Sequence, residues 1–530
     1  MTQKLYSVGL TVLLLFSLVA ASAVVMVFVS TDQISSLGSD NVSYLLMAEW
    51  LSPYHEASPI IREAALQQSY PPLFSLVLAL SGASADYLWA HRVVAIWFLI
   101  ACLLLYCLAR KMLASKGLAV VVVIGFLVTP ASWINLLGIL SENQYLAISL
   151  GVFLSLRREK RGPWQFALLA LALLALVLTR SIGLAMVVAM LASCWVLAPR
   201  WREYRWRWTL ASAVAVIVMI LWGALSPVQG DSHYLALWSG LLRELGQSGL
   251  SEITNLLGFQ AVQIWEGVLS ALIHHWPIEG GVTFYLVFLM LIIALIDVGF
   301  RLRHGEAEAA YLVVFLLVLL CWGSAGGQMW RLVYPCIPLL LIFMVSGIQR
   351  IAGLSKNRRA SLALHVLLCG IFVITPMGGG AFVLARYELS NSAEVAGYRY
   401  VTSYYQTIES HRAEFKARTE LTIIEGLKHV GSITEPDAVV AWFSPMYVSL
   451  FSNRRSVQLP VNLGVDEAAA FVKENQVDYI FLSRYHPRQY SDNVDGLASL
   501  NNYLSIGKVV WSGTVDQEGS SVVVCVLIEM

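Results

Sequence analysis

The sequence predicts an α-helical polytopic membrane protein that crosses the bilayer about eleven times and carries a small C-terminal α/β domain on its outer side. Three observations lead there. The 530 residues are 58% hydrophobic and only 13% charged, with a mean hydropathy of +0.68, too apolar for a water-soluble chain of this size. Long apolar runs recur from the N-terminus to about residue 384 and then stop. Lys and Arg gather in alternate loops, which gives the chain a sidedness.

A bilayer core of ~30 Å needs ~20 mostly apolar helical residues per crossing. Such runs start near residues 8, 88, 117, 142, 164, 182, 208, 281, 308, 331 and 361. The first contains Ala21-Ser22-Ala23, which resembles a processing site, but it continues to Val29. That exceeds the about 7 to 15 residues of a signal core, so the run reads as an anchor. Lys and Arg resist translocation, and a cytoplasmic N-terminus places Arg110, Lys111 and Lys116, Arg157 to Arg161, Arg200 to Arg207, Arg301 and Arg303, and Arg350 to Arg359 in inner loops. The outer loop from about 30 to 86 then holds only Arg62, and the one from about 226 to 280 only Arg243. An odd number of crossings leaves residues 385–530 outside. The formal net charge of +1 argues against nucleic acid as a partner. The seven Cys show no CxxC pair and no metal-ligand spacing.

The three outer segments differ in character. In the first, Asp40 precedes Asn41 to Leu51, whose apolar spacing predicts a helix on the membrane surface. The second, 226–280, carries Trp238, Trp265 and Trp276, which suit the headgroup layer, and is expected to rest on the bilayer. The third alternates strand-like runs (Val439 to Phe443, Val457 to Leu459, Tyr479 to Ser483, Val509 to Trp511, Val522 to Ile528) with helical ones such as Glu467 to Glu474. That is an α/β pattern without a phosphate-cradling glycine loop.

The chemistry-bearing candidates all fall on the outer side. Asp40 has a structural role open to it as a helix N-cap, and Glu142, after Ser141, as a first-turn acid favoured by the helix dipole. Arg180 and Arg331 can snorkel to headgroup phosphates, and Tyr70-Pro71-Pro72-Leu73 can be a plain turn. Against these readings stands the cost of ionisable groups at membrane depth. Two guanidiniums bind phosphate by paired hydrogen bonds, and a carboxylate takes a hydroxyl proton. The residues by themselves leave an enzyme and a transporter open.

Asp40 followed by Tyr44 and Ala48, then Tyr70-Pro71-Pro72-Leu73-Phe74-Ser75-Leu76, Ser141-Glu142, Thr179-Arg180-Ser181-Ile182-Gly183, Arg331 with Tyr334-Pro335 and Pro338, and Pro436-Asp437-Ala438-Val439 with Asp478-Tyr479 run in order along the chain. With these motifs the sequence resembles the lipid-dependent glycosyltransferases of the GT-C superfamily, in the branch of ArnT-like and protein-mannosyltransferase-like enzymes. The resemblance implies an integral-membrane, inverting enzyme with residues 1–384 as its catalytic module and 385–530 as a periplasmic domain. It would move a sugar from a polyprenyl-phosphate donor to a glycan, lipid or protein acceptor at the outer face of a bacterial inner membrane. Asp40 matches the family's first-loop acid and is expected to be the general base. Arg180, Arg331 and Tyr70 are expected to bind the donor phosphate, Tyr44 and Tyr334 the substrate, and Glu142 to be a second catalytic acid that orients the acceptor. Many relatives pair two acids in the first loop, whereas Asn41 follows Asp40 here. Asp40 and Glu142 alone supply too few oxygens for a divalent cation, so no cofactor is expected.

Two rivals make different demands. A transporter or lipid flippase calls for paired hydrophobic halves with broken helices, and the sequence shows no such symmetry. An O-antigen ligase or polymerase calls for a large outer loop rich in Arg and His, whereas 226–280 offers Arg243, His233, His274 and His275.

Overall fold

The computed structural model describes residues 20–34, 37, 40–68, 70–157, 162–197, 203–225, 250–273, 281–321, 329–354, 358–390, 410–460, 463–484, 496–517 and 519–530. Most of the chain is helical. Among the described residues, six helices are long and apolar enough to cross a membrane: Tyr87–Leu113, Arg205–Ala224, Thr254–Ile273, Phe284–Arg303, Met329–Gly353 and Leu362–Arg386. Shorter apolar helices join them at Ala20–Val29, Lys116–Leu127, Pro163–Thr179, Ser181–Leu197 and Ala307–Leu320. The Tyr87–Leu113 helix shows how sequence sets the boundaries: Asp86 Oδ1 accepts from the Trp89 N–H at 2.9 Å at its start, and Arg110 and Lys111 fall in its last turn. Such a cap is worth ~1 kcal/mol, and the terminal cations complement the helix dipole.

Two elements depart from expectation. The Asn41–Leu51 helix forms, but it does not lie on a surface: Asn41 through Ala48 are all buried. Tyr44, Leu45 and Ala48 pack into the core of the membrane helices, while Val42 and Leu46, one turn apart on the other flank, pack into the core of the C-terminal domain. A helix clamped between two cores needs no polar face, so its apolar spacing misled the surface reading. The second departure is the Leu250–Ile273 helix within the expected second outer loop. It packs against the Met329–Val333 turn, where a Cβ on Gly267 would meet the Met329 carbonyl carbon at 2.9 Å. Trp265 stacks edge-on against Phe284 and Phe288 at 6.0 and 5.6 Å. This helix is therefore part of the bundle. Trp238, Arg243, His233, His274, His275 and Trp276 lie outside the described residues.

The last apolar helix, Arg358–Ser390, runs across the expected boundary at residue 384. Beyond it the C-terminal residues form a five-stranded sheet of order β2-β1-β3-β5-β4, with β1 Val439–Trp442, β2 Arg455–Gln458, β3 Tyr479–Ser483, β4 Lys508–Gln517 and β5 Ser520–Glu529. Strands β1, β2 and β3 are parallel, and β5 and β4 add antiparallel. β3 is buried along its whole length, which explains its continuous apolar run YIFL. Asp478, just before it, accepts from the Val439 N–H at 2.8 Å and so sets the start of β1. The Pro445–Ser452 helix joins the sheet to the first outer loop, where the Ser58 hydroxyl donates to Asn453 Oδ1 at 2.6 Å. The domain thus braces the segment that carries Asp40.

Candidate active site

Four polypeptide segments meet where the expected residues lie. Asp40 ends the turn before Asn41–Leu51, Glu142 opens the Glu142–Leu156 helix, Arg180 sits at the break after Pro163–Thr179, and Arg331 lies in the short Met329–Val333 helix. Each break has a local cause. Arg180 is extended (φ −151°, ψ 137°), which ends one helix and turns its side chain out of the helical register before Ser181–Gly183 starts the next. Pro335 and Pro338 limit the backbone bonding of the turn after Arg331. Pro72 lies directly ahead of Leu73–Leu80 and holds Tyr70 at the mouth of that helix.

Glu142 does sit in the first turn of its helix, but the other structural roles open to these residues are not the ones they take. Asp40 occupies the N-cap position but makes no side-chain cap bond. Its Oδ1 accepts from the Tyr70 hydroxyl at 2.8 Å, and its Oδ2 accepts from Arg331 Nη2. Arg331 Nε donates to Glu142 Oε1, and Arg180 Nη1 reaches the same oxygen at 2.6 Å. Both arginines are therefore held by carboxylates inside the protein, not by snorkelling. The Tyr44 hydroxyl is 2.8 Å from Ser141 Oγ, which Arg180 Nη1 also approaches at 3.4 Å. Two carboxylates and two guanidiniums form one electrically balanced cage.

Asp40 and Glu142 differ sharply in access. The Asp40 side chain keeps 27% of its exposure and lines a cavity with Tyr44, Tyr70, Arg180 and Ser181. Glu142 has none. Walled in by both guanidiniums, Glu142 is not among the residues that line this cavity. Tyr334, expected to bind substrate, is not among the lining residues either. It is fully buried, donates to Asn143 Oδ1 at 2.8 Å and stacks on Phe126 at 5.8 Å, so it supports the Glu142 turn from behind. The cavity's apolar wall includes Phe315 and Leu319 of the Ala307–Leu320 helix. Sequence reading missed these two, because nothing distinguishes them within an apolar run.

Charge sets the state of the base. Burial on its own would raise the Asp40 carboxyl, but the Arg331 guanidinium, its hydrogen bond, the Tyr70 hydroxyl and the Arg180 charge together hold it below the ordinary carboxylate value. Burial pushes the Tyr44 phenol up, so that it stays a neutral hydrogen-bonding group. The cavity volume is ≈ 50 Å³, room for one or two waters at about 30 Å³ each.

A second buried ion cluster lies at the far end of the same helices. Asp297 pairs with Arg301 at 2.6 Å and with Arg350, Glu306 pairs with Arg301 at 2.6 Å and Arg157 at 2.5 Å, and Glu308 pairs with Arg157 at 2.5 Å. Arg301 also donates to Ser346 at 2.7 Å. Acids and arginines are consequently not confined to the side that holds Asp40, and sidedness by itself no longer singles out the site. Its connection to a cavity does.

No protein-family model matches the chain, and no curated relative does. Solved structures do. ArnT from Cupriavidus metallidurans in the apo state is similar over 99% of this chain and 98% of its own, with 15% identity and a TM-score of 0.53. The same protein bound to undecaprenyl phosphate covers 98% of both chains at 15% identity and a TM-score of 0.51. The archaeal oligosaccharyltransferase AglB from Archaeoglobus fulgidus, in complex with an inhibitory peptide and a dolichol-phosphate, is a looser match at 13% identity and a TM-score of 0.46, over 96% of this chain and 74% of that one. The chain shares the fold of ArnT over nearly its whole length. In this chain that fold is a polytopic helical module followed by a small sheet domain.

Proposed function

We propose that this protein is an integral-membrane glycosyltransferase that moves a sugar from a polyprenyl-phosphate donor onto an acceptor hydroxyl, with inversion at the anomeric carbon. The observation that carries the reading is the cage itself: an accessible carboxylate, Asp40, and the Arg180 guanidinium line one cavity, with the Arg331 guanidinium bonded behind the carboxylate, in a fold like that of ArnT. That the ArnT of similar fold binds undecaprenyl phosphate supports the choice of donor. In the proposed reaction the acceptor oxygen bonds to the anomeric carbon, the bond from that carbon to the phosphate oxygen breaks, and the electron pair leaves with the polyprenyl phosphate. The acceptor proton passes to Asp40, with Tyr70 holding the carboxylate in line. Arg180 and Arg331 stabilise charge on the departing phosphate, where donors in a dry site act most strongly. Tyr44 borders the sugar, and Glu142 fixes the arginines.

The leaving phosphate needs no separate acid, and the oxygens of Asp40 and Glu142 Oε1 are already engaged by N–H and O–H donors, so the proposal includes no metal. The site is assigned to the periplasmic face of a bacterial inner membrane, with the N-terminus cytoplasmic, on the strength of the loop charges. The acceptor is a glycan, lipid or protein hydroxyl. The test is incubation of the purified protein in lipid nanodiscs with undecaprenyl-phosphate sugars and envelope extracts, with and without chelator. A new glycoside detected by mass spectrometry, lost in Asp40→Asn, supports the reading. Movement of the lipid across a bilayer with no glycoside formed would return the protein to the transporter class.

A further inference from the structure

Both oxygens of the proposed base carry a donor: Tyr70 donates to one Asp40 oxygen at 2.8 Å and Arg331 to the other, and each donor lowers the basicity of the carboxylate. Arg331 is tied to both carboxylates, Nε donating to Glu142 and Nη2 to Asp40, and only 7% of its side chain is exposed. Asp40 and Arg180 line the cavity, whereas Arg331 stands behind Asp40 and is not among the lining residues. A phosphate entering the cavity therefore meets Arg180 first, and it takes the Nη2 donor of Arg331 by taking the place of the Asp40 carboxylate. Two anions would then contend for one guanidinium.

From this geometry we propose, resting on the polyprenyl-phosphate reading above, that Arg331 is a positioning residue which masks Asp40 until the donor phosphate captures it. Docking of the headgroup draws Nη2 from Asp40, and the carboxylate stays anchored by Tyr70 through its other oxygen. The freed oxygen then accepts the acceptor hydroxyl. Donor binding must precede productive acceptor binding, and Asp40 does not act as a strong base while the donor site is empty. Glu142 keeps hold of Nε throughout, so the guanidinium pivots and does not leave.

The competition yields a counterintuitive result for binding. Asp40→Asn, which removes the rival anion, is expected to bind undecaprenyl phosphate in nanodiscs about tenfold more tightly than the wild type, the effect of one charge-assisted hydrogen bond released. In an Arg331→Ala background the same change is expected to alter affinity less than about twofold. Equal affinities for wild type and Asp40→Asn overturn the proposal, as does a gain that persists without Arg331, which would reflect general loss of negative charge. Absence of binding to the wild type instead sinks the donor reading on which the proposal rests. Should Arg331→Ala fail to fold, isotope-edited infrared spectroscopy decides the matter: the carboxylate band assigned to Asp40 by its loss in Asp40→Asn must shift when undecaprenyl phosphate is added, and an unmoved band refutes the exchange.

Discussion

Two buried ion clusters sit at opposite ends of the same helices, and they solve the same electrostatic problem for different ends. At one end Asp297, Glu306 and Glu308 satisfy Arg157, Arg301 and Arg350, with Asp297 fully buried and Glu308 nearly so. At the other, Asp40 and Glu142 satisfy Arg180 and Arg331, but one member faces a cavity. Buried ion pairs contribute little net stability, because desolvation offsets the attraction, yet removal of one partner is costly. The first cluster is thus a set of bolts that is expensive only when broken. In the second, the same cost keeps charges poised beside a space where a substrate charge can replace one of their own.

The sharpest test of that distinction is Asp40→Asn, expected to lower sugar transfer about 10²- to 10⁴-fold while the protein remains inserted with an unchanged size-exclusion profile. A variant that keeps substantial activity removes Asp40 as base. Asp297→Ala should do the reverse. It takes one of two carboxylates from Arg301, which keeps Glu306, and the carboxylate from the part-exposed Arg350, and is expected to cost about 1–3 kcal/mol of stability, read as a fall in melting temperature in detergent, while the transfer rate per folded molecule holds; a lost rate in a fully folded sample would merge the two clusters into one functional unit. Tyr70→Phe removes a single hydrogen bond to the base and should slow transfer about tenfold with little change in donor affinity. The acid dependence follows from the lowered Asp40 value. A carboxylate depressed in the folded state contributes stability that is fully present above its ordinary value of 3.8 and is lost as pH falls through the folded one. The melting-temperature difference between wild type and Asp40→Asn should therefore be flat from about pH 5 to 8, and a slope in that window would falsify the charge assignment. The smallest effect belongs to Arg455→Ala, whose partner Glu63 lies 3.9 Å away with both side chains more than half exposed; melting temperature and transfer should not change.

Much of the fold was legible because membrane helices announce themselves by composition, and β3 by its unbroken apolar run. Asp40, Glu142, Arg180 and Arg331 were legible because charge is rare at the ends of such helices. What the chain could not reveal was pairing. Glu142 and Arg331 are 189 positions apart and Asp40 and Arg331 are 291 apart, distances at which only the assembled bundle decides who meets whom. The Asp297 cluster escaped notice for a related reason: its arginines were already accounted for as topological signals, so their acids were not sought. Tyr334 lies close to Arg331 in sequence, yet it bonds to Asn143 and does not line the cavity.

The Glu142–Leu156 helix, about 22 Å long at 1.5 Å per residue, begins in one cluster and hands over to the other at Arg157, and Ile337–Gly353 spans the same interval between Arg331 and Arg350. A strut pinned at both tips resists sliding and tilting alike. On the proposed reading, room for a lipid head is then made at the kink at Arg180 and by the pivot of the Arg331 guanidinium, inside a frame that stays still.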